Sequence, residues 1–228
     1  MTDDSALLHL QTVVLEAVAC GEPLAVVADL ICRRAEALAP GVICSILSVD
    51  GAGLLHPLAA PSLPLAYSGA IDGLVAGPKA GSCGTAAFRN AEVVVTSIDT
   101  DPLWEDFRFL ASPLGLKACW SSPIRSRDGA VLATFAFYYR VPRGPSHVER
   151  RIVQTCVHLC AIAIEHERAH ENIQRLAYYD VLTGLPNRAR FRDLLDQHIA
   201  LGKPFALLLV DIDHLKLVND TAGHVYGD

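Results

Sequence analysis

Three groups of residues in this sequence have the types and spacing that chemistry uses. The first is Asp211-Ile212-Asp213, which follows a near-continuous apolar run from Pro204 to Val210. Such a run reads as a strand covered on both faces, and a carboxylate at its carboxyl end stands where nucleotide sites form in α/β sheets. Asp211 is thus a candidate oxygen ligand for a hard cation such as Mg²⁺. For Asp213, capping a helix or facing solvent explains the residue equally well. The second group is Cys83, within Gly81-Ser82-Cys83-Gly84-Thr85 at the expected N-terminus of a helix. There the helix dipole lowers a thiol pKa and attracts an anion, and Cys119 lies on a strand that could face it. An inert buried cysteine is the plain alternative for each. The third group is aromatic: Trp104, Phe107, Trp120, Phe135 and Phe137 are expected to line a small apolar pocket with the two cysteines, or else to be ordinary core. His158, flanked by Cys156 and Cys160 on one helix, has no matching pair elsewhere, so a core role is expected in place of haem or metal binding.

The elements that must position these residues follow from periodicity. Leu7, Leu10, Val14, Leu15 and Val18 have helical spacing, and after a break at Gly21-Glu22-Pro23 so do Leu24, Val27, Ala28, Ile31 and Ala35. Val42 to Val49 is rich in β-branched residues, and Asp50-Gly51-Ala52-Gly53 predicts a hairpin returning through Leu54 to Ala60. Residues 61–90 read as irregular up to a short helix at Ser82 to Phe88, capped by Ser82 or Thr85. A strand over Glu92 to Ile98 and a short helix opened by Asp101-Pro102 follow. Two strands, about 116–125 and 130–140, flank the turn Arg127-Asp128-Gly129. A long helix then runs from Ser146 to about 177. On it Ile152, Leu159, His166 and Ile173 recur every seventh residue, with Thr155, Ile162, Ala169 and Leu176 three further on, the a/d spacing of a coiled coil. Over 148–163 the same stripe serves equally to cover the domain's own sheet. Past His166 the surroundings become charged, which predicts a parallel homodimer with a seam of Ile152, Leu159, Ile162, His166, Ile173 and Leu176.

The chain has 228 residues, 51% of them hydrophobic and 19% charged, with a net charge of −6. That is enough for one to two domains with a buried core. Without clustered Lys and Arg, a nucleic-acid partner is not expected. No apolar stretch reaches the ~18 residues that span a bilayer, and the acidic Met1-Thr2-Asp3-Asp4 start is unlike a signal peptide. Seven widely spaced cysteines without a CxxC pair read as reduced thiols of a cytoplasmic protein.

Four segments in order resemble GAF domains of bacterial signalling proteins: Ala80 to Ala87, Asp99 to Trp104, Cys119 to Ile124 and Gly129 to Phe135. The resemblance covers about 5–168 and implies an α+β fold, a PAS-like antiparallel sheet with flanking helices. A second stretch, Asp180-Val181-Leu182-Thr183-Gly184-Leu185-Pro186-Asn187-Arg188, with Asp211 to Asp228 about 23 residues later, resembles the opening of GGDEF domains, whose active members condense two GTP into cyclic di-GMP. Leu215 departs from the aromatic usual before the lysine. The expected organisation is a GAF sensory domain at 5–168, a closing and linking helix at 146–177 and a partial α/β GGDEF domain at 178–228. By that resemblance Asp211 and the Ile212 carbonyl bind Mg²⁺, while Lys216, Asn219 and Asp228 contact GTP.

The sequence stops before the Gly-Gly-Asp/Glu-Glu-Phe signature, so these 228 residues are expected to form no cyclic di-GMP from GTP and Mg²⁺. They are also expected to pack poorly over 178–228. The implied function is a sensory and dimerisation module of a cyclic di-GMP signalling protein that resembles a GAF-GGDEF diguanylate cyclase, with a small-molecule ligand in the GAF pocket as a candidate partner. Two alternatives stand. One is a non-catalytic interaction module regulating a downstream phosphodiesterase. The other is an enzyme like the GAF-type free methionine-(R)-sulfoxide reductases, which share a Gly-x-Cys-Gly-Thr-Ala-Ala segment; against it, Cys119 is displaced from their catalytic position and Val131 to Tyr139 lacks their carboxylates.

Overall fold

The computed structural model describes residues 2–211, 213–214, 220–221 and 223, which divide into two compact units at Arg168/Ala169. The first unit is built on six strands: β1 (Val42–Val49), β2 (Leu54–Ala59), β3 (Leu74–Val75), β4 (Val93–Val95), β5 (Ala118–Arg125) and β6 (Val131–Tyr139). They form one sheet in the order β3-β2-β1-β6-β5-β4, and every neighbouring pair is antiparallel. Chain direction follows from the two expected hairpins. At the first, Asp50 Oδ1 accepts from the amides of Ala52 and Leu54 at 2.9 and 2.8 Å.

Side chains alternate across a strand, so each central strand feeds two cores. Cys44, Ile46, Trp120, Ile124, Phe135, Phe137 and Tyr139 face the helices α1 (Thr2–Ala19), α2 (Leu24–Leu38) and α6 (His147–Tyr178). Ile43, Leu47, Cys119, Ala136 and Tyr138 face the other layer, made of α3 (Leu65–Ile71), α4 (Gly81–Arg89) and α5 (Arg108–Ala111) with short 3₁₀ turns around α5. The region expected to be irregular therefore contains α3 and β3. Seven residues behind Pro64 are too few to declare a helical period, but α3 buries Tyr67 and Ile71 against the sheet.

α6 begins as expected, with Ser146 and Glu149 in a reciprocal capping box: the Ser146 amide donates to Glu149 Oε2 at 2.6 Å and the Glu149 amide to Ser146 Oγ at 3.2 Å. Its first half buries Ile152, Val153, Cys156, Leu159, Cys160, Ala163 and Ile164 in the domain's own core. This corrects part of the expected dimer seam. Ile152 and Leu159, each 2% exposed, are spent within the domain. Ile162 is half-buried, and His166, Ile173 and Leu176 are exposed.

In the second unit, the motif around Asp180 folds into a tight loop. Asp180 Oδ1 accepts from the Thr183 amide and hydroxyl at 2.9 and 2.8 Å, and Gly184, at φ +69°, turns the chain so that Tyr179 bridges Pro186. These bonds, the Thr183 amide foremost, hold the Asp180 carboxyl below its ordinary value. Asn187 donates to the Ala177 carbonyl at 2.9 Å and, as expected, caps α7 (Arg188–Ala200) by accepting from the amides of Ala189 and Arg190. Residues 204–210, expected as a central strand, are exposed and make no strand ladder. An apolar run becomes a strand only beside a partner, and none is present among the described residues of this unit.

His56 on β2 ties the sheet edge together. Its Nδ1 lies 2.7 Å from Asp72 Oδ1 and its Nε2 3.3 Å from Asp50 Oδ2. Hydrogen bonding to Asp72 first, then Asp50, raises its pKa above 6.5. A raised folded-state pKa stabilises below the unfolded value and the gain disappears as pH rises through the folded one. NMR titration is expected to place the His56 midpoint above 6.5, and Asp72→Asn to lower it; an unmoved midpoint would show that the ion pair does not persist in solution.

Candidate functional site

The helix bearing Cys83 starts at Gly81, ahead of where a cap at Ser82 or Thr85 would set it. Ala80 is the N-cap, with no side-chain cap bond, so neither Ser82 nor Thr85 fills the role expected of it. Gly81 opens the helix at φ +60°, a left-handed conformation suited to glycine, with the Trp104 ring 3.8 Å from where a Cβ would stand. Ser82 is turned inward instead. Its hydroxyl accepts from Trp104 Nε1 at 2.9 Å and donates to the Cys119 carbonyl at 3.4 Å. Thr85 Oγ1 accepts from the Ala80 amide at 3.2 Å, which closes the loop before the helix.

That placement lowers Cys83 onto the sheet. α4 packs on β4, β5 and β6, and beneath it lies a polar strip made by Cys119 and Ser121 of β5 and Thr134 and Tyr138 of β6. Cys119 is the direct partner of Tyr138, and Ser121 of Ala136. The Tyr138 hydroxyl is 3.9 Å from Cys83 Sγ and 3.2 Å from Ser45 Oγ, and Tyr67 meets the Tyr138 ring edge-on. Hydrogen bonding from Cys119, aided by the hydroxyls of Ser121, Tyr138 and Thr134, outweighs burial and brings the Cys83 thiol down to about 7. Burial drives the Cys119 thiol well above its ordinary value. The pair is asymmetric: one sulfur is ready to ionise and the other to stay protonated.

Beside Cys83 is a cavity of about 30 Å³ lined by Leu47, Leu55, Tyr67, Trp104, Phe107 and Leu110, with Ser82, Cys83 and Tyr138 as its polar groups. It has room for one or two water-sized molecules and is far below the roughly 300–1,000 Å³ of ordinary ligand pockets. Of the residues expected to line the pocket, Cys83, Trp104 and Phe107 do so, and Cys119 lies in the same core layer. Trp120, Phe135 and Phe137 do not. They belong to the opposite face, where Trp120 packs edge-on against Phe137. Neighbours on one strand point to opposite sides, so Cys119 and Trp120 could not both reach one pocket. The cavity's other aromatic residues are Tyr67 and Tyr138, which no local sequence pattern marks.

The other cysteines form a contrasting set. Cys32, Cys44, Cys156 and Cys160 are buried in the core under α1, α2 and α6, and Cys20 is exposed. Burial raises the thiols of Cys44, Cys156 and Cys160. His158 is exposed between Cys156 and Cys160, and no cluster able to hold a metal occurs among the described residues. In the second unit Asp211 is exposed. Ile212, Lys216, Asn219 and Asp228, expected to join it at Mg²⁺ and GTP, lie outside the described residues. None of the helices among the described residues is long and apolar enough to cross a membrane.

Comparison with known proteins supplies the context. A family model described as GAF domain matches residues 21–165, and one described as diguanylate cyclase, GGDEF domain, matches residues 177–228. The methyl sulfide methyltransferase-associated sensor of Methanosarcina acetivorans is 33% identical over 222 residues, covering 96% of this chain and 21% of that protein. The cyclic di-GMP phosphodiesterase NbdA of Pseudomonas aeruginosa is 29% identical over 153 residues, 65% of this chain and 18% of that protein. The chain thus spans about a fifth of the length of these curated relatives. Among solved structures, the GAF domain of a phosphoenolpyruvate-protein phosphotransferase from Coxiella burnetii superposes with a TM-score of 0.60 at 19% identity, over 74% of this chain and 98% of that one. A curled antiparallel sheet between two helical layers, matched in both sequence and fold, makes this chain a member of the GAF domain family, followed at 177–228 by a GGDEF-domain region.

Proposed function

We propose that this chain is the sensory and dimerisation module of a cyclic di-GMP signalling protein, in which the GAF domain sets the output of the domain that its last helix enters. The observation that carries this is α6. It begins as the capped, buried closing helix of the GAF core and continues to Tyr178, inside the region matched as GGDEF. A ligand or modification that shifts the GAF sheet acts on this helix directly, because Arg150 of α6 lies 5.2 Å over the Trp120 ring of β5. The names of the relatives fit the reading: one is a sensor and another a cyclic di-GMP phosphodiesterase.

In the whole protein, the GGDEF region would take GTP with Mg²⁺, the Asp211 carboxylate and Ile212 carbonyl being the hard oxygen donors that ion prefers. Whether the output is synthesis or, through a further domain, hydrolysis is decided by assaying the full-length protein for both, with and without substitutions at Trp120 and Arg150. Output that is insensitive to these substitutions would overturn the coupling.

The dimer is tested on the chain in hand. Exposed Ile173 and Leu176 occupy successive seam positions beyond the domain core, and two such helices side by side would cover them. Light scattering at tens of micromolar is expected to give a dimer, and Ile173→Lys with Leu176→Lys to shift it to monomer. A clean monomer before substitution would sink the seam.

A further inference from the structure

Six of the seven cysteines are buried, but only one has an environment built from converging donors, and it stands beside a cavity of molecular-oxidant size. We infer that Cys83 and Cys119 form a dithiol site for a small peroxide, with Cys83 the attacking sulfur and Cys119 the resolving one. The inference concerns the chemistry of this chain alone, and holds or fails whatever the linked domain does.

The geometry comes first. Ser82, next to Cys83, is bonded to the carbonyl of Cys119, and Cys119 pairs across the sheet with Tyr138, whose hydroxyl touches the Cys83 sulfur. Cys83 and Cys119 thus share Tyr138 as a neighbour and are tied through Ser82, which places the helix start that carries one over the strand that carries the other. Ser121 Oγ and Thr134 Oγ1 are fully buried and have no conventional partner. Left so, each would cost about 1–3 kcal/mol, and their presence favours the thiolate over the thiol at Cys83. The cavity admits a molecule about as large as water or hydrogen peroxide and excludes an amino acid or a nucleotide. Cys83 keeps 7% of its surface exposed, against 0% for Cys119.

The chemistry balances. The Cys83 thiolate attacks one peroxide oxygen, the S–O bond forms as the O–O bond breaks, and the departing hydroxide or alkoxide takes a proton, leaving Cys83 as a sulfenic acid. Cys119 then attacks that sulfur, the S–S bond forms, the S–O bond breaks and water leaves with the Cys119 proton. Two thiols lose two electrons and one peroxide gains them. The thiolate is the nucleophile of the first step; in the second, Cys119 gives its proton to the departing hydroxide as it attacks. Cys44, Cys156 and Cys160, whose thiols burial keeps protonated, are therefore poor competitors.

The test uses the reduced 228-residue chain, treated with an equivalent of hydrogen peroxide near neutral pH, unfolded in an alkylating reagent and mapped by mass spectrometry. A Cys83–Cys119 cross-linked peptide is expected, with these thiols lost more than about tenfold faster than those of Cys44, Cys156 and Cys160, which stay almost wholly protonated near neutral pH. In Cys119→Ser the cross-link disappears and a sulfenic acid accumulates at Cys83, trapped by a cyclic dione. In Cys83→Ser the Cys119 thiol survives. Thermal melts confirm that each variant folds, with Cys119→Ala as the alternative if the serine is not tolerated. Loss of Cys20 alone, with Cys83 and Cys119 still open to alkylation, would overturn the site. Oxidation of Cys119 undiminished in Cys83→Ser would overturn the order of attack. Over-oxidation of Cys83 in the wild-type chain without a cross-link would overturn the resolving role.

Discussion

Glu149→Ala is expected to lower the unfolding free energy of the GAF unit by about 2–3 kcal/mol, a melting-point drop of about 4–12 °C for a domain of this size. Two losses add. Glu149 is the return half of the capping box that starts α6, accepting from the Ser146 amide, and losing a cap costs about 1 kcal/mol. It also accepts two bonds from Arg143, at 2.6 and 2.9 Å, and Arg143 lies 3.9 Å over the Tyr139 ring. The Glu149 side chain is 9% exposed and that of Arg143 35%. The pair is thus shielded on one side only, and the stranded arginine can turn to water; this keeps the cost below that of a fully buried pair. Glu149→Gln retains the cap acceptor and should lose about half as much. The pH dependence has a definite sign. Burial alone favours the neutral acid, but the bonds from Arg143 and Ser146 together outweigh it and hold the carboxyl below its ordinary 4.5. A depressed carboxylate pKa contributes stability that is complete above the unfolded value and is lost as pH falls through the folded one. The wild-type domain should therefore lose stability below pH 4.5 more steeply than Glu149→Ala. Parallel acid limbs would show that Glu149 is not charged in the folded state.

How far the sequence could be read depended on the range of the signal. Turns were legible because Asp50-Gly51-Ala52-Gly53 and Arg127-Asp128-Gly129 act locally, and caps were legible at Asn187 because its side chain bonds amides two and three residues on. Segments too short to show a period were not. α3 and the two-residue β3 exist because Tyr67, Ile71 and Leu74 find the sheet, a fact of tertiary packing. The long stripe on α6 was ambiguous for a related reason. Spacing shows that one face is apolar, but only the structure shows that Ile152 and Leu159 meet their own sheet while Ile173 and Leu176 remain exposed.

The site divides along the same line. Cys83 at a helix start was readable, as was a facing strand at Cys119. Trp120, Phe135 and Phe137 are separable from the pocket by sequence alone, since alternation along β5 and β6 sets Cys119 apart from Trp120 and Tyr138 apart from Phe137. What no local pattern contains is the register that sets Cys119 opposite Tyr138 and collects the hydroxyls of Ser45, Ser121, Thr134 and Tyr138 from three strands. These residues are far apart in sequence, and singly each is unremarkable for a strand.

Gly84 determines how closely α4 approaches that strip, and Gly84→Val is expected to destabilise the domain by about 3 kcal/mol, at the upper end of overpacking costs. A Cβ at this position would stand 2.5 Å from Ala80 Cβ and 3.2 Å from Leu55 Cδ1. Leu55 can rotate away, but Ala80 Cβ is fixed to the backbone, so relief requires the first turn of α4 to move. Gly84→Ala meets the same clash with one carbon, offset by about 1 kcal/mol of recovered helix propensity. Its net cost should be about 1–2 kcal/mol, in contrast to the usual gain from replacing a helical glycine. Because Cys83 is the adjacent residue, the same displacement should draw its sulfur away from Tyr138 and the donors beneath it, raising its pKa. Alkylation rates measured against pH would therefore show the Cys83 midpoint moving up from about 7 in Gly84→Ala, together with a lower melting temperature. If stability falls while the midpoint stays, the thiol's ionisation does not depend on the seating of α4. If neither changes, Ala80 yields without cost, and the close packing of this helix on the sheet is not what sets the geometry of the site.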